Sequence, residues 1–378
     1  MQFLYVGRLD KEKWIQSLIF CIEQLIKGKT DFHIDIYWEW SYTSHIKKLS
    51  HTYPNYITYH WRKHKKEIIW QRSRADYFIM PSSFLETFGL TACESLLLWV
   101  PVIGNKKWWL IPFIDNNLDI QWAPWKHDGE KLYNILSRLL HANFSKENFK
   151  PLIQHIKSTY TKEKRITAIT NISKNTNNIL MVSDFVNYNW GGIETHIHDA
   201  SQLLQTHDYA THIYWHQAPI GKRSTLKKLI IMISSLCNIW DTYNITQEIK
   251  KHTIWLIWRH SISRVIGRLP VRVTQDTTQQ IITHHELGLF HPFPSQTTHE
   301  SQIPDARSLS AFVKAGQTNN FLKKIAIVGK YMMIRCIHKQ LQKKVKTHIV
   351  PSERMIPMVR QRHPQANIIC IPHFVTVW

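Results

Sequence analysis

Glycine is scarce in this chain. It carries twelve glycines in 378 residues, where average usage of roughly 7% would supply about 26. Tryptophan is in excess at sixteen, and the excess falls where turns need glycine. Trp38-Glu39-Trp40 closes an apolar strand, Trp108-Trp109 follows Gly104-Asn105-Lys106-Lys107, and Trp190 precedes Gly191-Gly192. Bulky indoles have no packing reason to gather at strand ends. One reading covers all of these sites: the gene uses UGA for glycine, and tryptophan is written in its place.

Cysteine is also sparse. The five, Cys21, Cys93, Cys237, Cys336 and Cys370, lie far apart and form no C-x-x-C. This excludes a disulfide framework or a zinc ribbon and points to a reducing, cytoplasmic setting. Phe3-Leu4-Tyr5-Val6 reads directly as a strand, so no signal peptide is expected. The longest apolar run, around Leu229–Ile233, is too short to span a bilayer.

Acidic residues are few. Asp and Glu number 27 against 48 Lys and Arg, a formal charge of +21. Such a balance favours acidic partners: nucleic acid, anionic lipid or phosphate-bearing substrates. Nucleic acid lacks any supporting motif, whether zinc finger, aromatic strand or basic recognition helix, so no specific nucleic acid is expected. The 23 histidines give no metal signature. His284-His285-Glu286 has leucine at 289, so there is no H-E-x-x-H. His196 and His198 have the wrong spacing for one helix face. With no Asp-x-Asp either, no metal and no resident cofactor are expected.

What is present is alternation. Strand patterns at 2–6, 33–37, 56–60, 76–80 and 101–103 alternate with helical patterns at 13–27, 65–74, 88–98 and 128–141. That order means a parallel sheet with crossover helices. The chain turns polar through 143–174, and Asn175-Thr176-Asn177-Asn178 reads as a linker. A second series follows, with strands at 179–183, 210–214, 253–257, 271–274, 280–284, 347–350 and 367–371. The predicted domains are 1–174 and 175–378, both α/β. A long helix is expected over 320–345, with apolar Ile327, Ile334, Ile337, Leu341 and Val345 on one stripe and a basic remainder. Residues 301–350 hold ten basic side chains and one acid, Asp305. The stretch Lys323–Lys346 therefore suits either a solvated helix face or an anionic membrane surface.

The densest chemistry is Glu86-Thr87-Phe88-Gly89-Leu90-Thr91-Ala92-Cys93-Glu94, preceded by Ala75-Asp76-Tyr77-Phe78-Ile79-Met80-Pro81-Ser82. A strand ends, a loop carries one carboxylate, and a helix carries the second eight residues on. Such a pair can grip vicinal hydroxyls of a sugar.

This stretch resembles the Glu-x7-Glu signature of the retaining glycosyltransferases of family 4. Pro101-Val102-Ile103-Gly104 also fits, as does Gly7-Arg8-Leu9-Asp10-Lys11-Glu12-Lys13-Trp14, with Trp14 in a glycine place. Trp38, Trp40, Trp61 and Trp99 fall at further glycine places of the family. The second half is similar to the family's other domain through Ile179–Phe185, Trp190-Gly191-Gly192-Ile193-Glu194-Thr195-His196, His285-Glu286-Leu287-Gly288, Val350-Pro351-Ser352-Glu353 and Ile371-Pro372-His373-Phe374.

The resemblance implies a GT-B fold, two Rossmann-like domains facing across a cleft, with their order permuted. It implies a UDP- or GDP-sugar donor bound by 1–174, and a glycan or lipid-linked acceptor on 175–378. By resemblance Arg8, Lys13, Glu86 and His285 would be catalytic. Gly7, Gly89, Glu94, Gly191 and Gly192 would bind the nucleotide sugar. No residue stands out as a covalent nucleophile. The implied role is bacterial cell-envelope polysaccharide synthesis, in the cytoplasm or peripheral on the inner face of the membrane. The alternative is a non-catalytic fusion or fragment of two glycosyltransferase genes.

Overall fold

A computed structural model of the chain describes residues 1–10, 13–61, 63, 65–82, 87–105, 113, 119–120, 128–141, 146–172, 177–184, 192–216, 238–262, 271, 278–292, 303–305 and 308–373. These residues form two units, Met1–Thr161 and Lys162–His373. Each is an α/β fold on a parallel sheet of six strands, the class that the alternating pattern predicts.

In the first unit the chain runs β1 (Gln2–Val6), α1 (Ile15–Lys27), β2 (His33–Tyr37), α2 (Thr43–Thr52), β3 (Ile57–His60), α3 (Lys65–Arg74), β4 (Tyr77–Met80), α4 (Leu90–Leu97), β5 (Val102–Asn105), β6 (Asp119–Ile120), α5 (Asp128–His141) and α6 (Lys150–Thr159). The strand order is β3-β2-β1-β4-β5-β6, every pair parallel. Phe3, Leu4 and Tyr5 are buried in succession, as a central strand covered on both faces requires. Helix α1 buries Ile15, Leu18, Ile19, Cys21, Ile22 and Leu25 at helical spacing. It rests against α5, and Gly129 permits the approach: a Cβ there would stand 2.5 Å from a Phe20 ring carbon.

The second unit runs α7 (Lys162–Ile172), β7 (Asn178–Ser183), α8 (Gly192–Gln205), β8 (Ala210–Trp215), α9 (Ile239–His252), β9 (Leu256–Arg259), β10 (Gln279–Thr283), α10 (Leu309–Ala315), α11 (Phe321–Lys344), β11 (Thr347–Val350), α12 (Ile356–Arg362) and β12 (Asn367–Cys370). Its order is β12-β11-β10-β9-β7-β8, again parallel throughout. Trp258 on β9 is a true core indole, fully buried, its Nε1–H donating to Thr283 Oγ1 at 2.8 Å.

Three differences from the sequence expectations have local causes. Helix α2 lacks a strong apolar stripe, since only Ile46 and Leu49 are buried, and was not expected. The strand predicted at 253–257 lies at Leu256–Arg259, because α9 runs to His252 and Thr253 caps it in the left-handed region at φ 50°. The units divide before α7, whereas the polar linker suggested 174/175. Helix α7 buries Arg165, Ile166 and Ile169, and Gln279 Nε2 donates to the Ile172 carbonyl at 3.1 Å, which ties it to the second unit. The strand expected at 271–274 lies largely outside the described residues.

One buried ion pair joins α3 to α4. Arg72 Nη1 donates to Glu94 Oε2 at 2.5 Å, with the arginine side chain 1% and the glutamate 13% exposed. The guanidinium also lies 5.1 Å from the Phe78 ring. Removing one partner of such a pair strands a charge in a poorly solvated site. Arg72→Ala is expected to destabilise the chain by about 3 kcal/mol, read as a lowered urea midpoint; an unchanged midpoint would mean that the pair holds nothing in place.

Candidate functional site

In the first unit the strand order reverses between β1 and β4. Connections leave the sheet to opposite faces there and open a crevice at the carboxyl ends, where ligands of such sheets bind. The sequence-predicted residues flank this point: Gly7, Arg8 and Lys13 follow β1, and Gly89 and Glu94 follow β4. Glu86 lies outside the described residues.

The loop after β1 is laced to the loop after β2. Gly7 N–H donates to the Tyr37 carbonyl at 3.3 Å, and Tyr42 N–H donates to the Leu9 carbonyl at 3.0 Å. Tyr5 Oη donates to the Arg8 carbonyl at 2.9 Å. Asp10 organises the charges. Its Oδ2 pairs with Arg8 Nη1 at 3.1 Å, and its Oδ1 accepts from Lys13 N–H at 2.9 Å. The Arg8 guanidinium lies 5.8 Å from the centre of the Trp40 ring. Sequence reasoning passed over Asp10, although its place between Arg8 and Lys13 was the available signal.

After β4, Gly89 takes φ 82° at the start of α4, a left-handed conformation that suits glycine. Its carbonyl accepts from Ala92 and Cys93 N–H. Glu94 projects from the next turn and is held by Arg72 from α3. No motif pointed to Arg72; only the fold brings it there. Ser82, just past β4, is fully buried, and its hydroxyl has no hydrogen-bond partner among the described residues.

In the second unit the order reverses between β7 and β9. Gly192 opens α8 after β7, while Gly191 and Trp190 lie outside the described residues. His285 follows β10 and is buried among three other histidines: His196 on α8, His260 after β9 and His373 after β12. His285 Nε2 meets His260 Nδ1 at 2.7 Å and its Nδ1 meets His373 Nε2 at 3.3 Å. Arg165 of α7 donates from Nη2 to His196 Nε2 at 2.5 Å, and from Nη1 to the Pro372 carbonyl at 3.1 Å. Burial, then the charges of His260 and Arg165, press the His285 imidazole well below its ordinary pKa. Burial likewise brings Arg165 down to about 9. The ring is thus neutral at physiological pH, able to donate from one nitrogen and accept at the other.

The sequence picked His285 but not the residues around it. His196, His260, His373 and Arg165 stand at scattered positions, and the sheet's carboxyl edge gathers them. A second buried group lies deeper in the same unit: His284 Nε2 meets His348 Nδ1 at 2.9 Å, and His338 Nδ1 meets His363 Nε2 at 2.8 Å.

No curated protein matches the chain. Among solved structures it is similar to a pneumococcal O-GlcNAc transferase in complex with UDP and GlcNAc, at 19% identity and TM-score 0.38, covering 46% of this chain and 36% of that one. It is similar to sucrose-phosphate synthase from Thermosynechococcus elongatus at 20% identity and TM-score 0.37, covering 46% and 44%. The catalytic domain of cholesterol-alpha-glucosyltransferase from Helicobacter pylori is 13% identical at TM-score 0.34, covering 43% and 99%. The chain thus spans less than half the length of the first and second of these. Residues 1–109, which hold both loops at the β1/β4 reversal, match the family described as Glycosyl transferases group 1.

Proposed function

We propose that the chain is a retaining glycosyltransferase that moves a sugar from a nucleoside diphosphate sugar, UDP- or GDP-linked, to a glycan or lipid-linked acceptor. The observation that carries this reading is the coincidence of the family match over 1–109 with the crevice geometry. Arg8 and Lys13 stand on one side of the strand reversal, and Glu94 stands on the other.

The chemistry follows from charge. Leaving of a nucleoside diphosphate builds negative charge on phosphate oxygens, and fixed cations aimed there stabilise it. Arg8, steadied by Asp10, and Lys13 supply those cations. Glu94 accepts from sugar hydroxyls of the nucleotide, and its pairing with Arg72 keeps it oriented. Glu86 holds the donor sugar by resemblance, and the Ser82 hydroxyl offers a further unspent hydrogen bond. The transfer calls for no resident cofactor; the nucleotide sugar is a substrate. By resemblance alone, Gly191-Gly192 of the second unit would approach the diphosphate and His285 would stand beside the donor sugar. The family's two domains then occur in reversed order along the chain. The competing reading, a non-catalytic fusion of two gene pieces, shares this domain order and differs in lacking transfer.

The written tryptophans bear on whether the protein as translated is the working one. Seven non-glycine residues among those described have positive φ, and three are Trp14 at 55°, Trp38 at 110° and Trp99 at 61°. Each occupies a place where the family resemblance expects glycine. A left-handed backbone costs a residue with a Cβ roughly 1–2 kcal/mol, and glycine relieves that cost. Trp40 and Trp61 are exposed, and Trp108, Trp109 and Trp190 lie outside the described residues. These conformations support UGA read as glycine.

The long helix α11 supports docking on an anionic membrane. Phe321, Ile325 and Met332 are exposed and share one face, continued by exposed Arg335, Lys339 and Lys343. An apolar stripe running into a basic one suits the headgroup boundary, where each cation adds about 1 kcal/mol. No helix among the described residues is long and apolar enough to cross a membrane.

Three outcomes are expected. Trp14→Gly, Trp38→Gly and Trp99→Gly each raise stability by about 1 kcal/mol in chemical denaturation. Trp258→Gly lowers it by about 3–5 kcal/mol. Equal losses at all four positions would overturn the recoding reading, as would UGG codons in the gene. With glycine restored, calorimetry detects a UDP- or GDP-sugar, and Arg8→Ala and Lys13→Ala each lower kcat about 10²–10³-fold at unchanged melting temperature. Absence of any nucleotide-sugar binding would leave the fusion reading. Liposome co-sedimentation at low salt recovers more protein on anionic than on neutral vesicles, and Phe321→Ser with Ile325→Ser reduces that difference; equal recovery on both vesicles removes the membrane role.

A further inference from the structure

The histidines around His285 form a group that glycosyl transfer does not require. His196, His285 and His373 each offer one ring nitrogen, and these three atoms lie within 4.8 Å of one another, all on buried side chains. They come from three separate places: helix α8, the loop after β10 and the loop after β12. A chain-local search for a metal motif could not see them together.

One of the three spacings already suits a d-block cation. Zinc bonds to imidazole run about 2.0–2.1 Å, so two ligands at a tetrahedral angle stand about 3.3–3.4 Å apart. His285 Nδ1 and His373 Nε2 are 3.3 Å apart. The other nitrogen of His285 is engaged by His260 Nδ1 at 2.7 Å. Metal-bound histidines commonly spend their second nitrogen on just such an outer bond, which sets tautomer and ring plane. His260 Nε2 is buried with no hydrogen-bond partner among the described residues.

We propose that His196, His285 and His373 form a binding site for a divalent transition metal ion of the imidazole-preferring type, with His260 orienting His285. Imidazole ligands select zinc, copper, nickel or cobalt over magnesium or calcium.

Arg165 sets the strength of the site. Its Nη2–H occupies His196 Nε2 at 2.5 Å, and its Nη1 lies 3.4 Å from His373 Nδ1. The guanidinium charge so close to two of the ligand rings repels the cation. The site is therefore weak with Arg165 present and strengthens without it. In the metal-free protein the same groups form a hydrogen-bonded chain from the Arg165 guanidinium through the His373 and His285 imidazoles to His260. That chain is the alternative the test must separate.

The site shares His285 with the donor reading above, but its test contains no nucleotide, so the two fail separately. Cobalt(II) chloride is titrated into the full chain, and visible absorption is followed. The expected result is a nitrogen-ligated, near-tetrahedral cobalt spectrum saturating at one ion per chain and displaced by zinc. His373→Ala and His196→Ala each weaken binding at least tenfold. His338→Ala, in the other buried histidine group, leaves it unchanged. Arg165→Gln tightens binding about tenfold, as loss of a neighbouring charge should. Should the alanine variants fail to fold, imidazole ¹⁵N resonances of the unmodified protein are followed during zinc titration, where three rings shift together with His260. No cobalt spectrum in the unmodified chain, a spectrum that survives His373→Ala, or weaker binding in folded Arg165→Gln would each overturn the site and leave the hydrogen-bonded chain.

Discussion

Parallel strands leave the chain no choice about where chemistry can sit. Every strand in a unit points the same way, so every loop at the carboxyl edge gathers on one side. Between β1 and β4 the connecting helices diverge to opposite faces of the sheet, and the loops there cannot close over one another. Gly7 to Lys13 and Gly89 to Glu94 are brought beside a single crevice by that reversal, although some eighty residues separate them. The second unit repeats the device between β7 and β9. There the opening of α8 stands beside the loop that carries His260.

Buried cations are the second organising element, and the units treat them differently. In the first, Arg72 is matched by a carboxylate, Glu94, so the pair gives a fixed orientation to a side chain that reaches the crevice. In the second, Arg259 donates to the neutral Gln280 Oε1 at 2.8 Å, and Arg165 faces imidazoles and a carbonyl. Burial lowers both guanidinium groups toward about 9. The Asp199 charge works against that lowering at Arg165, and surrounding dipoles offset part of the burial cost. The cost of burying Arg165 argues that its surroundings were shaped around it.

Much of this was legible along the chain. Alternating strand and helix patterns marked both sheets, and the Gly7–Trp14 and Glu86–Glu94 segments stood out because their residue types and spacings are local. What could not be read is what tertiary structure alone assembles. Arg72 lies in a helix of mixed polarity and has no pattern that ties it to Glu94. The place of Asp10 between Arg8 and Lys13 carries no sequence signal that its two oxygens hold Arg8 and the Lys13 amide. His285 and the three histidines around it are spread over 178 positions, and only β-strand order makes them neighbours. Helix α2 was missed because two buried residues in ten do not make a visible stripe.

Tryptophan and glycine lie at opposite ends of the same conformational argument. A left-handed residue at the start of a helix or the end of a strand is tolerable when it has no Cβ, and costly when it carries an indole. Trp258 shows what an indole does when packing wants it: it is buried, paired through Nε1 and set in a strand. Trp14, Trp38 and Trp99 do the reverse, holding turns that bulk does not help. Lys29, Asp208, Thr253 and Gln317 also have positive φ, so such turns are not peculiar to tryptophan. What separates the three tryptophans is that their positions stood out first from the motifs around them. A local backbone requirement and a motif position agree there on the same small residue.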